Sequence, residues 1–326
     1  MKFCGRAVIV AVAICIYGIV LSAAPTMGQT RDQGPWWPHP IWGQDDQAGA
    51  SNWITPEKIL DAISLVKTGQ VYELGHVYER GMPLLGQRTF ALFIAAGTPS
   101  GDNQSIYNNE FLSAEIGQVG TQFDGFGHVG RRMTMADGST EDVYYNGFTA
   151  DEMQSRYGLR QLGIENMKPY ITRGILIDVA GSKGLEILPN DYTVTLSDVR
   201  EALAKQGLSE DQIEPGDALI FHYGWWRLWA DPEQFHAAWP GRPGIGKEVA
   251  EWLIQQRVSM VGSDAATDDP SAAVHHELIL KNGIPNLEFM NLEELVADNV
   301  YEFMFVFTPL RIKGATGSPG RPLAIR

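Results

Sequence analysis

The sequence predicts a single α/β domain in which a mixed β-sheet is flanked by helices. Short buried apolar runs alternate with amphipathic helical segments. No internal repeat breaks the alternation, and no linker-like stretch divides it. At 326 residues, 44% hydrophobic and 20% charged, the chain is too long for a small stapled domain and too apolar for a disordered one.

The N-terminus reads as separate from that domain. Lys2 and Arg6 precede an apolar run from Ala7 to Val20, which closes on Leu21-Ser22-Ala23-Ala24. This is the pattern of a secretory signal over 1–24, cleaved between about 23 and 29. A single membrane anchor is the alternative, since about 17 to 25 apolar residues span a bilayer. Both cysteines, Cys4 and Cys15, lie in this leader. Cleavage therefore leaves a thiol-free chain suited to a periplasmic or secreted location, with no stable membrane association and no cysteine nucleophile or metal site. Lys plus Arg number 25 against 39 Asp plus Glu; without Lys2 and Arg6 the balance is 23 against 39, or −16. Such a surface repels polyanions, so no nucleic-acid partner is expected, and it weighs against strongly anionic substrates unless a pocket differs locally.

Residues 30–56 are rich in Trp, Pro and Gly without a helical or alternating period, and read as an aromatic arm. The main domain, 57–326, then opens on a helix: Thr55 caps it, Pro56 and Glu57 occupy its first turn, and Ile59, Leu60, Ile63 and Val66 form its apolar stripe. Val71 to Tyr78 alternates as a strand does, Thr89 to Ala96 is a second apolar run, and the polar stretch 97–110 is long enough for a lid or binding edge. Arg173 to Ala180 reads as a buried strand containing Asp178, and a helix follows from Thr195 to a stop at Gly207. Ala218 to Phe221 is another buried strand, running into His222. A helix from Gly246 to Gln256 leads to Val258–Val261, and one around Ala273 to Lys281 leads to Ile284–Phe289.

Familiar motifs are mostly excluded. Gly241-Arg-Pro-Gly-Ile-Gly-Lys247 resembles a phosphate loop, but Glu248 stands where Ser or Thr would meet magnesium. No G-x-S-x-G elbow offers a serine nucleophile. Among seven histidines, His39, His76 and His236 read as structural or solvated. His222 ends a buried strand beside Trp225 and Trp226, a position that suits a pocket or a hydrogen-bonded core equally. Those tryptophans, with Trp36, Trp37 and Trp42, are candidates for an aromatic mouth or for core. Asp124 and His128 lie four apart in a glycine-broken segment, while His276 and Glu288 flank a helix end and a strand. Two carboxylates and two imidazoles suit a divalent ion with a base beside it, although spacing alone does not bring the two clusters together.

These segments resemble the metal-dependent cyclase family that includes bacterial kynurenine formamidase and isatin hydrolase, whose hallmark reads H-x-G-T-H-x-D-x-P-x-H. Residues 118–128 read Q-V-G-T-Q-F-D-G-F-G-H. The likeness continues through ITRGILIDVA (171–180), PGDALIFHYGWW (215–226), VGSD (261–264), HHELILKNGIPNLE (275–288) and FTPLRIKGATGSP (307–319). It implies a swivelling β/β/α-like fold, a homodimer and a small-molecule substrate. It also implies a divalent ion (Mn, Zn or Mg) on Asp124, His276 and Glu288, with His128 as general base; His275, which points elsewhere from His276 on a helix, is expected to be structural. Gln118 and Gln122 stand in place of two histidine ligands of a further site, and are expected to line the pocket as amide donors or weak ligands. Phe126 replaces the motif's proline. The implied activity is hydrolysis of a cyclic or aryl amide, formamide or lactone. A metal-assisted lyase or cyclase, or a non-catalytic binding protein on the same scaffold, is the alternative.

Overall fold

The computed structural model describes residue 31 and residues 33–271 and 273–326. The expected leader, with Cys4, Cys15 and the cleavage window, lies outside the described residues. In chain order the strands are β1 (Val71–Glu73), β2 (Phe90–Ala95), β3 (Asn109–Ala114), β4 (Gln122–Asp124), β5 (Arg131–Thr134), β6 (Thr140–Val143), β7 (Tyr170–Asp178), β8 (Thr193–Val194), β9 (Ala218–His222), β10 (Gly244–Ile245), β11 (Met260–Ser263), β12 (Asn286–Glu288), β13 (Glu302–Phe307), β14 (Gly317–Pro319) and β15 (Leu323–Ile325). Among the described residues, nine form one sheet in the order β1-β15-β13-β7-β9-β11-β12-β4-β14. Neighbours from β7 through β9 and β11 to β12 are parallel, and the remaining pairs are antiparallel. The sheet is thus mixed, as the sequence predicts.

Burial on both faces explains the unbroken apolar runs of the central strands. Ile175 and Ile177 of β7 and Leu219 and Phe221 of β9 join one core cluster with Val199 and Leu203 of the helix Leu196–Lys205 and Val249 and Leu253 of the helix Lys247–Gln256. The alternate residues Leu176, Ala218 and Ile220 join a second cluster with Phe303, Phe305 and Phe307 of β13. Thr195 caps the first of these helices through a reciprocal capping box with Asp198. Strand β1 ends at Glu73, short of the expected Tyr78, and 97–108 is not a free-standing lid but the connection of a β2–β3 ribbon.

The arm is irregular but fully stitched. Asn146 accepts from the His39 amide at 2.8 Å and donates to the Gly43 carbonyl at 2.7 Å. Asp46 accepts from Tyr145 Oη at 2.8 Å and from the Gly49 amide at 2.8 Å. Ahead of the 3-10 helix Gly49–Trp53, side-chain partners thereby stand in for the ladder bonds that an irregular segment lacks. Trp42 packs against Trp53 and stacks on His39.

One expected face is overturned. The helix Pro56–Ser64 is capped by Thr55 as predicted, yet Leu60 and Ile63 are exposed while Lys58 and Ala62 are buried. The cause is an ion pair: Lys58 Nζ lies 2.6 Å from Asp217 Oδ1, which is fully buried ahead of β9, and 3.0 Å from Glu214 Oε2. That pairing sets the rotation of the helix against its own apolar stripe. Lys58→Met leaves Asp217 buried without its ammonium, and should lower unfolding stability by about 3 kcal/mol in urea titration, whereas Lys58→Met with Asp217→Leu should recover most of the loss. Elsewhere, burial against Trp229 pushes the His76 imidazole down to about 4. Below its ordinary 6.5 the unfolded chain takes up a proton that the folded chain refuses, so stability is lost as pH falls from about 6.5 towards 4. His76→Phe should flatten the thermal stability profile in that window by up to about 3 kcal/mol.

Candidate metal centre

Strand pairing builds the centre. In the antiparallel β4–β12 pair, Asp124 faces Asn286 and Gln122 faces Glu288. The intervening Phe123 and Leu287 point the other way, into the second core cluster. A period of two thus delivers Gln122, Asp124 and Glu288 to one face. The turn that follows β4 needs its glycine, because a Cβ on Gly125 would sit 2.7 Å from the Thr316 carbonyl oxygen. Phe126, at the position of the motif's proline, is buried against Tyr145. His128 emerges from this turn with Nε2 3.9 Å from Asp124 Oδ1.

The third group is His275, which corrects the expected His276. Nitrogen or oxygen atoms of Asp124, His275 and Glu288 all lie within 4.8 Å of one another. His275 Nε2 is 3.5 Å from both Asp124 Oδ2 and Glu288 Oε1. The reason is helix rotation. Val274 and Leu278 are fully buried in the first core cluster and Ile279 in the second. With that docking, His275 turns inward and His276 reaches only the cavity wall, as the helix Ala273–His275 widens into the π-helix His276–Lys281. Asp268 Oδ2 holds His275 Nδ1 at 2.8 Å, which leaves Nε2 directed at the two carboxylates.

The donor set fits a divalent cation. Asp124 Oδ2 is buried without a hydrogen-bond partner. Glu288 is pushed up to about 7 by desolvation and by Asp124, although it accepts from the Thr267 amide at 2.9 Å. His275 is held well above the usual imidazole range despite burial, by Asp124 and Asp268. Two buried carboxylates and an imidazole, with one oxygen left orphaned, are what an ion of Mn, Zn or Mg type satisfies.

The glutamines do something the sequence did not anticipate. Gln118 Nε2 donates to Asp124 Oδ1 at 2.7 Å and Gln122 Nε2 to Glu288 Oε2 at 3.4 Å. Their amide oxygens accept instead from Arg88, Gln118 at 3.2 Å and Gln122 at 3.5 Å. Both amides therefore donate to the candidate ligand carboxylates instead of to a substrate, and their oxygens, the expected weak ligands, are engaged by a guanidinium.

A cavity of about 240 Å³ opens over these groups, lined by Leu85, Arg88, His128, Trp239, Arg242 and Asp268 among others. His222 and Trp225 are not part of it. His222 is buried, with Nδ1 2.6 Å from Asp178 Oδ1 at the paired ends of β9 and β7, and Trp225 packs edge-on to Phe235 in the core. Trp37 is buried and Trp42 packs on the first core cluster, so the aromatic wall is Trp239, outside the expected set. Arg88, Arg242 and Asp268 were also missed: the arginines stand in irregular backbone and Asp268 in an isolated bridge to Ile245, where no helical or strand period marks them. Asp268→Asn should weaken Mn(II) or Zn(II) binding by roughly 10- to 100-fold in chelator competition, with the melting temperature of the metal-free protein little changed.

The family model described as "Putative cyclase" matches residues 72–270. A crystal structure of a novel cyclase aligns with a TM-score of 0.78 at 30% identity, covering 87% of this chain and 96% of that one. Isatin hydrolase A from Ralstonia solanacearum aligns at 0.55 with 20% identity over 84% of this chain and 98% of its own, and that from Labrenzia aggregata at 0.53 with 18% identity over 78% and 93%. These two share the fold. No curated protein matches the chain. With the family model spanning more than half its length, and the 30%-identical structure most of it, the chain belongs to the cyclase family.

Proposed function

We propose that the protein is a hydrolase of a cyclic or aryl amide, formamide or lactone, using one divalent ion held by Asp124, His275 and Glu288. The observation that carries this reading is the convergence of those three side chains within 4.8 Å in a cavity that His128 also lines. A bound ion would supply Lewis acidity, polarising a carbonyl and making water more acidic. His128 is the proton carrier. Its imidazole is partly exposed to the cavity and 3.9 Å from Asp124, close enough to take a proton from attacking water and return it to the leaving nitrogen or oxygen. Asp268 orients His275, and Leu85, Val129 and Trp239 give an aryl or ring substrate an apolar wall. The isatin hydrolases of the same fold lend support to a cyclic amide.

A homodimer belongs to the same proposal. The β2–β3 ribbon carries Phe93, Ile94 and Phe111 exposed, an apolar surface that a second copy would cover. Sedimentation of the wild type against a Phe93→Ser, Phe111→Ser variant tests it, and a monomeric wild type rejects it.

His128→Ala should slow hydrolysis by about 10²- to 10⁴-fold while Mn(II) binding is retained. Aryl-formamides, lactones and cyclic imides are the panel, assayed with Mn(II) or Zn(II) and after chelation. Turnover that survives both chelation and His128→Ala, or a panel untouched by the metal-loaded protein, would end the hydrolase reading. Products whose masses sum to the substrate's, with no water gained, would redirect it to a lyase or cyclase.

A further inference from the structure

We propose that the cavity accepts an anionic substrate, a small aryl molecule bearing a carboxylate, with Arg88 as the specificity-determining cation and Arg242 as a second. The inference rests on the hydrolase reading for the identity of the cavity, and it reverses what the acidic composition suggests. A net charge of −14 describes the whole surface, whereas this wall concentrates guanidinium groups.

Arg88 is partly buried, and its two hydrogen bonds go to neutral amide oxygens of Gln118 and Gln122. Among the described residues no carboxylate forms an ion pair with it. Guanidinium carries five N–H donors, so a fork remains available for a ligand, and its planar geometry favours bidentate binding of a carboxylate. Beyond these amides, the exposed Glu115 carboxylate is near enough to act on Arg88 electrostatically but makes no hydrogen bond to it, so the guanidinium still has donors for an incoming anion.

Arg242 points to the same chemistry independently. Its Nε is buried with no hydrogen-bond partner. Its Nη2 is 3.5 Å from Asp268 Oδ1 and donates to the Asp269 carbonyl at 3.4 Å, and its guanidinium stacks 4.4 Å from the Trp239 ring. One unsatisfied donor beside an aromatic face suits an aryl anion. Asp124, Glu288 and Asp268 bring three formal negative charges to the cavity; the two arginines with a divalent ion bring four positive ones. The loaded site is one positive charge in excess, so it attracts a monoanion that the surface at large would repel.

Calorimetric titration of benzoate and of its neutral isostere benzamide into the full-length protein, with Mn(II) and after chelation, tests this without any need for turnover. Benzoate should bind at least about tenfold tighter than benzamide to the Mn(II) protein. Arg88→Gln should remove most of that preference, Arg88→Lys should retain more of it, and benzamide should bind all forms alike. Melting curves establish that each variant is folded; if the glutamine variant is not, the lysine variant carries the comparison. Benzoate should bind the chelated protein more weakly, yet still depend on Arg88. Equal affinities for the two ligands, or benzoate binding that ignores both Arg88 substitutions, would overturn the proposal. If Mn(II) fails to bind while Arg88-dependent benzoate binding persists, the metal-hydrolase reading falls and the anion site stands.

Discussion

The site is organised around a single electrostatic burden: Asp124 and Glu288, both buried, are placed on adjacent strands with an oxygen of each close to the same imidazole nitrogen. At the separations found here, two full negative charges repel by roughly 3 kcal/mol even at an effective dielectric of about 20. Neither residue can turn away, because Phe123 and Leu287 between them are locked into the opposite core. Every neighbouring group reads as a response to that burden. The His275 imidazole is held well above its usual range by Asp124 and Asp268, the Glu288 carboxyl is pushed up to about 7 by burial and Asp124, and Asp124 Oδ2 is left without a hydrogen-bond partner. The imidazole and the amide donors offset part of this repulsion, and a cation bound between the carboxylates would remove the rest.

Around this core the polarity is layered. Gln118 and Gln122 present their nitrogens to the carboxylates and their oxygens to Arg88, so each amide dipole passes from an anion on the inside to a cation on the outside. A neutral histidine also carries one donor and one acceptor, but its acceptor is the lone pair that would ligate an ion, whereas the glutamine oxygens are engaged by Arg88. The departures from the family hallmark are therefore coherent with one another: neutral adaptors replace two imidazoles, and a permanent charge stands behind them. Asp268 serves both sides, holding His275 at 2.8 Å and meeting Arg242 at 3.5 Å, which couples the ion-binding face to the cationic wall.

How much of this was legible follows from the range of the interactions. Strands β7 and β9 announce themselves because both faces of their central residues are buried, which makes 175–177 and 218–221 uninterrupted apolar runs. The capped helices at Thr55 and Thr195 are equally local. Strand β13 was missed although Phe303, Phe305 and Phe307 recur with a period of two, because Met304 and Val306 between them are also apolar and hide the alternation. Strand β4 was not assigned because three residues, Gln-Phe-Asp, carry no period. In the site, Asp124 and Glu288 were legible from their motif context. Arg88 was not, because nothing local distinguishes an arginine in a turn whose charge is used 30 residues downstream.

The histidine pair shows where sequence reasoning stops for a physical reason. Adjacent helical residues diverge by about 100°, so only one of His275 and His276 can face a given point. Either choice is compatible with the local pattern, because each has apolar residues three or four positions on. The decision is made by which apolar residues fit the two cores. Val274 and Leu278 go to one and Ile279 to the other, and that wedge leaves His275 inward. The π-helical turn that begins at His276 then shifts the phase of the following residues, so that Leu278, Ile279 and Leu280 are all fully buried in succession. A regular helix would have presented one of those three to solvent. The widened turn thus reconciles a continuous apolar run with an inward imidazole, and the metal-facing residue is selected by core packing several residues beyond it.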